Sequence, residues 1–483
     1  MDITAAMGQF YDEQGNINVP DQMTLSGMCE MLYTMAQMDG TAENVLIRYW
    51  DFSESREGKV HEITRAQVNT RIKAVCVRLQ QIAKPGDRVA ILANNSPEYM
   101  YAFLGAMYAR MVPVPLYDPN EPGHTGHLTA VLGSSEPTVV LTNKRSATAV
   151  RKHFAPIPAT ERPRVLTIDA LPDALAEDWV NPMAAIMADP SLAPKSSEEA
   201  FLQYTSGSTR TPAGVVLTHK SIVTTPQTEE RPLTKWFKRD ELSAGTVVEG
   251  SEDDADSLSL VSLGQVCEPQ AIAIVDPESG KELADGQVGE IWVHGDNMAA
   301  GYLNRPEETE ETFRNHLPMA NRLESGSRAA DVPEDKWMRT GDLAVIVDGH
   351  LFITGRLKDL IIVAGRNHYP QDIEATADEA TEQTAPAVIA AFAVQAGDAG
   401  TAGAGADGES VEGLVIIAER DPEAAEADDA EAIEAMRAAV TATHGVQPSD
   451  VRIIAPGALP RSSANKIARR VAAKAYLEGT LDA

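Results

Sequence analysis

The chain has 483 residues, 43% of them apolar, and a formal net charge of −30 at pH 7. That length and apolar share suffice for two or three compact cores. Acidity on this scale argues against a large phosphate-backbone footprint, so nucleic acid is not an expected partner. Cys29, Cys76 and Cys267 are far apart in sequence. They have neither metal-ligand spacing nor the number that a disulfide framework needs, and they read as buried thiols. The opening MDITAAMGQFYDEQG lacks the basic start and apolar run of a secretory leader. The most apolar stretch, from Tyr101, contains Arg110, Pro113 and Pro115 and falls short of the ~20 apolar residues of a spanning helix. A cytoplasmic protein with no transmembrane segment is the expectation.

From Arg88 to Tyr204 short β-branched runs alternate with helical segments: RVAIL, a helix around Tyr99 to Tyr108, VPVPL, TVVLT, RVLTI and FLQYT. That alternation predicts a parallel α/β sheet. Ligands of such sheets sit on loops at the carboxyl ends of strands, so the loop after Tyr204 draws attention first. From Thr224 to Leu263 the chain reads as polar and irregular, with an acidic cluster at Glu252, Asp253, Asp254 and Asp256. AIAIVD, the Asp285-Gly286 turn and VGEIWVHG then predict antiparallel strands, and Asp348-Gly349 centres a second hairpin. After about Leu357 a separate α+β part is expected, with strands at VIAAFAV and GLVIIAE and a Gly/Ala/Asp-rich loop between them. Its helix, about Asp429 to His444, carries Ile433, Met436 and Val440 on one face and stops at Gly445.

Three segments carry chemistry. Between FLQYT and the run VVL lie Thr205, Ser206, Gly207, Ser208 and Thr209, small residues whose amides and hydroxyls can converge on phosphate oxygens. The spacing is not that of a Walker loop, and taken alone the segment could be a flexible linker. Counting outward from Asp348-Gly349 pairs Val347 with His350 and Asp342 with Gly355, next to Arg356. A carboxylate there could accept a ribose diol beside a guanidinium, or the two groups could simply close the hairpin. Finally, Lys466 sits on a small-residue loop, where a mobile ammonium suits a carboxylate and a phosphate exchanging charge. An ordinary solvated lysine is the plainer reading.

YTSGSTRTPAGV, GEIWVHGDNMAAGYL, RTGDL, GRLKDLIIVAGRNHYPQDIE and PRSSANKI, in that order, resemble successive motifs of the adenylate-forming enzymes. STRTPAGV, VPLYDPNEPGH and GRNHYPQDIE look most like fatty acyl-AMP ligases, in particular the long-chain ligases of actinobacterial mycolic acid assembly. The resemblance implies the adenylate-forming fold, here with an incomplete N-terminal α/β domain over 1–223. An acyl-AMP-ligase-type insertion would follow over 224–264, a β-rich subdomain over 265–356, and a small mobile α+β domain over 357–483. It also implies ATP and Mg²⁺ as cofactors, a long-chain fatty acid as substrate, and an acyl carrier protein domain of a polyketide synthase as acceptor. On that pattern Thr205 to Thr209 hold the ATP phosphates, Asp342 and Arg356 the ribose, and Lys466 the reacting carboxylate and α-phosphate. The hinge falls at Leu357 to Asp359. The insertion, with Trp236 and Phe237, resembles the one that restrains the rotation needed for thioester formation with CoA.

Two positions depart locally: Ala213 stands where many relatives have Lys, and Asn465 where many have Gly. The larger departure is an absence. The family's His-Asp motif, much of its acyl tunnel, its adenine-stacking motif and its Mg²⁺-binding acidic residue belong to a long segment that should follow Val223. Here Thr218 to Val223 runs straight into Thr224-Thr225-Pro226-Gln227, which implies an internal deletion and leaves no metal ligand to name. Besides adenylation, a catalytically inactive nucleotide-binding remnant and an acyl-CoA ligase therefore remain as readings.

Overall fold

A computed structural model describes residues 23–481 except 54, 121–124, 183–185, 187, 206–211, 224–232, 255, 267–269, 364–365, 396–411 and 463–465. Cys267, Ser206 to Thr209, Asn465, the junction after Val223 and most of the Gly/Ala/Asp-rich loop lie outside the described residues. The chain divides into two compact units, one of 1–205, 211–226 and 295–310, the other of 206–210, 227–294 and 311–483.

The first unit begins with α1 (Leu25–Met38) and the antiparallel hairpin of β1 (Val45–Asp51) and β2 (Lys59–Thr64). A capping box starts α2 (Arg65–Gln80): Thr64 Oγ1 accepts from the Gln67 amide while Gln67 Oε1 accepts from the Thr64 amide. Then follow β3 (Arg88–Ile91), α3 (Pro97–Tyr108), β4 (Val112–Pro115), α4 (Thr125–Ser135), β5 (Val139–Thr142), α5 (Ala147–Phe154) and β6 (Arg164–Thr167). The four strands from β3 to β6 pair in parallel in the order β4-β3-β5-β6. Both faces of this sheet are covered, which is why its strands read as unbroken apolar runs. Val89, Ile91, Val139 and Leu141 enter a core with residues of α2 and α3. Ala90, Leu92, Val112, Val114 and Val140 enter another with residues of α4 and α5.

FLQYT belongs to a different sheet from the one predicted. It forms β7 (Glu199–Tyr204), paired antiparallel with β8 (Gly214–Thr218), and a short strand at Gly301–Tyr302 pairs with β8. Ala200, Leu202 and Tyr204 are buried whereas Glu199 and Gln203 are exposed, the alternation of a strand covered on one face. α6 (His219–Val223) follows β8.

The second unit holds β9 (Thr234–Lys238), α7 (Arg239–Ser243), β10 (Ser257–Gln265), β11 (Ala271–Val275), β12 (Gly289–His294), β13 (Met338–Val347) and β14 (His350–Arg356). Its strands form an antiparallel sheet ordered β11-β12-β13-β14-β10-β9. The stretch expected to be irregular thus supplies two strands. Phe237 is fully buried and meets Phe352 edge to ring at 5.3 Å. Leu258 and Leu260 turn inward, while Ser259, Val261 and Leu263 face solvent. Beyond the 3₁₀ turn Leu357–Asp359 come α8 (Pro370–Glu379), β15 (Thr384–Gln395), β16 (Glu412–Arg420), α9 (Asp429–His444), β17 (Asp450–Ile454) and α10 (Arg469–Glu478). β15, β16 and β17 make a three-stranded sheet with α8 and α9 on one face and α10 on the other. In α9 the predicted Met436 and Val440 are fully buried, and Gly445 closes the helix at φ 64°, a left-handed cap that favours glycine. Of the thiols, Cys76 is buried and pushed up to about 12 by desolvation, and Cys29 is half-buried. Among the described residues no helix is long and apolar enough to cross a membrane.

One buried histidine makes the first unit sensitive to acid. His219 is 7% exposed, and its Nδ1 accepts a hydrogen bond from the Leu25 amide at 3.2 Å. Burial lowers its imidazole from 6.5 to about 4. The folded state then binds fewer protons than the unfolded chain between those values. Stability is retained at neutral pH and falls as pH drops through the window, by up to about 3 kcal/mol. Urea unfolding at about pH 7 and about pH 4.5 should show the parent losing more stability on acidification than His219→Gln; equal losses would contradict this assignment.

Candidate functional site

In the first unit, β7 and β8 hold the base of the phosphate-loop segment closed. The Thr205 amide donates to the Ala213 carbonyl at 3.0 Å, and Thr205 Oγ1 accepts from the Ala213 amide at 3.1 Å. Gly214 is required beside this closure, since a Cβ there would lie 2.8 Å from the Tyr204 ring. The carbonyl of Thr205 meets His127 Nε2 at 3.1 Å, and His127 Nδ1 meets the Tyr117 hydroxyl at 2.8 Å. A carbonyl only accepts, so Nε2 carries the proton and Nδ1 accepts from Tyr117 in a neutral imidazole. Neither residue was singled out from sequence, although both lie in or near VPLYDPNEPGH.

In the second unit the hairpin of β13 and β14 brings Asp342 and Arg356 together. The predicted register is one residue off at its open end. Val347 pairs with His350 as counted, but Leu343 pairs with Gly355 and Asp342 with Arg356, because the ladder shifts between Leu343 and Ala344. An extra residue on β14, Thr354, sets Arg356 directly opposite Asp342. Arg356 Nε lies 3.2 Å from Asp342 Oδ1. Burial raises the Asp342 carboxyl, and Arg356 opposes that shift.

The pairing of β13 with β14 alone does not fix the first residues of β13. Glu290 on β12 is 1% exposed, and its Oε2 receives Arg339 Nε at 2.9 Å, a terminal nitrogen of Arg339 at 2.7 Å and Trp292 Nε1 at 3.1 Å. Its Oε1 receives the Gly341 amide at 3.1 Å. Thr340 Oγ1 donates to the Ile291 carbonyl at 2.9 Å and accepts from the Asp342 amide at 3.1 Å. Gly341 adopts φ 72° between these anchors. The Arg339-Thr340-Gly341 run is thereby fastened to β12, and Asp342 emerges at a fixed position.

Lys466 is exposed, and among the described residues it forms no bond with Asp342 or Arg356. Its amide donates to Ser462 Oγ at 3.2 Å and its carbonyl accepts from the Ser462 amide at 2.7 Å. Three residues on, Arg469 pairs with Glu374 at 2.6 and 2.5 Å and lies 3.9 Å from Asp359. Arg470 lies 3.7 Å from Asp359 and donates to the Lys358 carbonyl at 3.2 Å. The segment after Lys466 is therefore tied to the turn at Leu357–Asp359. A second tether comes from α7. Arg239 Nε meets both Asp372 oxygens at 3.2 and 3.0 Å, and the Tyr369 hydroxyl donates to the Leu242 carbonyl at 3.4 Å. His444 Nδ1 stands 3.8 Å from Asp372, and burial lowers its imidazole as it lowers that of His368. Among the described residues no group of three His, Cys, Asp or Glu side chains is arranged to hold a metal ion.

A family model described as "AMP-binding enzyme" matches residues 42–247 and 241–303. The long-chain-fatty-acid–AMP ligase FadD32 of Mycolicibacterium smegmatis is 33% identical, over 98% of this chain and 97% of its own length. FadD32 of Mycobacterium marinum is 32% identical, over 91% and 92%. The match to the former runs over 626 aligned positions against 483 residues here, so at least 143 positions, the excess of one over the other, face gaps in this chain. Among solved structures, one from work on fatty acyl-adenylate ligases from E. coli and L. pneumophila has a TM-score of 0.69 at 21% identity, covering 92% of this chain and 97% of that one. McyG A-PCP complexed with phenylalanyl-adenylate has a TM-score of 0.68 at 18% identity, covering 95% and 96%. These two likenesses show the fold, which is that of the adenylate-forming enzymes.

Replacing Glu290 by Ala would strand the Arg339 guanidinium, the Trp292 indole N–H and the Gly341 amide with no acceptor. The expected loss is about 2–3 kcal/mol of unfolding free energy in the second unit, read by urea unfolding. A loss within about 0.5 kcal/mol would show that the carboxylate does not organise the loop.

Proposed function

The chain belongs to the AMP-binding enzyme family and, within it, to the fatty acyl-AMP ligases, and from that premise we propose how far its own residues can carry the reaction. The reaction is activation of a long-chain fatty acid by ATP. A carboxylate oxygen bonds to the α-phosphorus, the bond from that phosphorus to the β-phosphate bridging oxygen breaks, and pyrophosphate leaves. Thr205 to Thr209 hold the phosphates, Asp342 and Arg356 the ribose, and Lys466 the carboxylate and α-phosphate in turn. The acyl group then passes to the thiol of a carrier protein rather than to CoA. Arg239 and Asp372 restrain the rotation that CoA would need, which disfavours the acyl-CoA ligase reading. Mg²⁺ would be carried by the nucleotide phosphates, whose negative charge it would offset. The described side chains do not themselves form a metal site, so no step is assigned to one.

The chain as it stands makes little acyl-adenylate. The observation that carries this is the pairing of an intact Asp342–Arg356 contact at 3.2 Å with at least 143 aligned positions that have no counterpart here. We place the gap directly after Val223. The two stretches matched by the family model meet at 241–247, within the polar segment that follows, which supports a break in this region. In-line positioning of two reactants can account for ~7 to 11 kcal/mol of a barrier. Loss of the adenine platform and acyl tunnel removes positioning at both ends of the reaction. What remains binds nucleotide through phosphate and ribose.

Mass spectrometry for acyl-AMP, with ATP and a long-chain fatty acid, tests this on the chain and on a version with the absent segment restored from a relative. The restored version should form acyl-AMP at least about a hundredfold faster, a barrier difference of about 2.7 kcal/mol. Turnover by the present chain at a full-length relative's rate would overturn the proposal, and acyl-CoA formation would overturn the restraint assigned to Arg239.

A further inference from the structure

The parallel sheet of the first unit has a crevice of its own, separate from the hairpin of β7 and β8. In the order β4-β3-β5-β6 the chain leaves β3 for β4 on one side and returns to β5 on the other. The strand order thus reverses between β3 and β5. Loops from the carboxyl ends of two such strands diverge, and open α/β sheets bind ligands in the crevice between them. A cleft of about 930 Å³ lies there, lined by Asn94 and Ser96 after β3, by Asn143, Lys144 and Arg145 after β5, and by Tyr49, Asp51 and His61 of the β1–β2 hairpin. Its volume is in the range of small-molecule sites, about 300–1,000 Å³. The phosphate-loop hairpin joins β7 to β8 in another sheet, so the mechanism above leaves this crevice unused.

The cleft carries both cations and carboxylates. The Lys144 and Arg145 side chains are exposed and, among the described residues, are engaged in no hydrogen bond or ion pair. Lys144 uses only its amide, which donates to Asp169 at 3.0 Å. Carboxylates and amides line the same cleft. Asp51 commits Oδ1 to the Ser53 amide at 2.9 Å, and Glu98 lines the cleft from the first turn of α3. Asn143 donates to Asn94 Oδ1 at 2.5 Å, which fixes the Asn94 amide with its own N–H groups available. Tyr49 and His61, a cross-strand pair with ring centroids 6.3 Å apart, also line the cleft.

This distribution selects a ligand class. Two adjacent cations suit a phosphate dianion. A bare anion would also meet Glu43, Asp51, Glu62, Glu98, Asp169 and Asp173 around the same cleft, so affinity must come from groups that carboxylates welcome. Hydroxyls are such groups, because an ionised carboxylate accepts from both members of a diol. We propose that the crevice between β3 and β5 binds a phosphorylated polyol of the aldose-phosphate class, its phosphate on Lys144 and Arg145 and its hydroxyls on Asp51, Glu98 and Asn94. The proposal does not depend on adenylation, since none of these residues belongs to the phosphate hairpin, the ribose pair or the Lys466 loop.

Isothermal titration of the full chain with ribose 5-phosphate and glucose 6-phosphate tests it, with inorganic phosphate and free ribose as comparators. At least one sugar phosphate should bind saturably, about tenfold or more tighter than either comparator. The double variant Lys144→Ala, Arg145→Ala should lose that affinity by about tenfold or more with an unchanged thermal midpoint, because both side chains are exposed. Asp51→Asn should weaken the sugar phosphate, by loss of a hydroxyl acceptor, while inorganic phosphate binds equally or more tightly, since a carboxylate that opposes a bare anion is gone. Binding must also persist in Asp342→Ala, which separates the crevice from the nucleotide's ribose contacts. Equal affinity for inorganic phosphate, insensitivity to the double variant, loss in Asp342→Ala, or no binding of either sugar phosphate at millimolar concentration would each overturn the proposal.

Discussion

A carboxylate shut away from water must be satisfied by its neighbours, and Glu290 does this by gathering three donors of the second unit around one point. Arg339, Trp292 and the Gly341 amide all donate to it. An unpaired charge at 1% exposure would be very costly, so the run from Arg339 to Gly341 has little freedom to leave β12. Asp342 follows immediately. Its position next to Arg356 is thus inherited from a contact 52 residues earlier in the chain, at Glu290, and from the extra residue at Thr354. The partly buried Asp342 carboxyl, raised by desolvation and opposed by Arg356, depends on that scaffolding for its position.

The same unit shows how a candidate site residue far along the sequence can be kept under control. Lys466 itself is exposed, yet the segment after it is anchored through Arg469 to Glu374 and, through Arg470, to the Lys358 carbonyl. Glu374 also accepts from the Ala391 amide at 2.9 Å, so this tether joins α8, β15 and α10. Arg239 on α7 grips α8 two residues earlier, at Asp372. α8 is therefore held from two sides, by ionic contacts whose partners are largely removed from solvent. Pairs of this kind cost much to break and are worth modestly less than hydrophobic substitutes, which suits a restraint better than a source of stability.

Local chemistry made part of this legible. Asp348 and Gly349 both take positive φ, 51° and 80°, as a two-residue hairpin turn requires, and the pairing next to that turn is the one counted from sequence. The α9 bounds and its cap at Gly445 follow from periodicity and a glycine stop. What failed depended on distant partners. The bulge at Thr354 has no local signal, and Glu290 reads as an outward residue of an alternating strand until Arg339 is brought to it. The placement of FLQYT was readable in principle, since Glu199 and Gln203 mark an exposed face that a central parallel strand would not carry. The phosphate-loop assignment rests on Ser206 to Thr209, outside the described residues. Its base at Thr205 and Ala213 closes as a hairpin, and the His127 and Tyr117 support behind it needed the fold to be seen.

In the proposed function, nucleotide recognition rests on phosphate and ribose with no adenine platform. Base discrimination measures that property without requiring any turnover. Competition titrations of ATP and GTP against the same chain should give affinities within about threefold of each other, a difference below about 0.7 kcal/mol. A preference for ATP of about tenfold or more would mean that residues of this chain read the adenine, and would contradict the account.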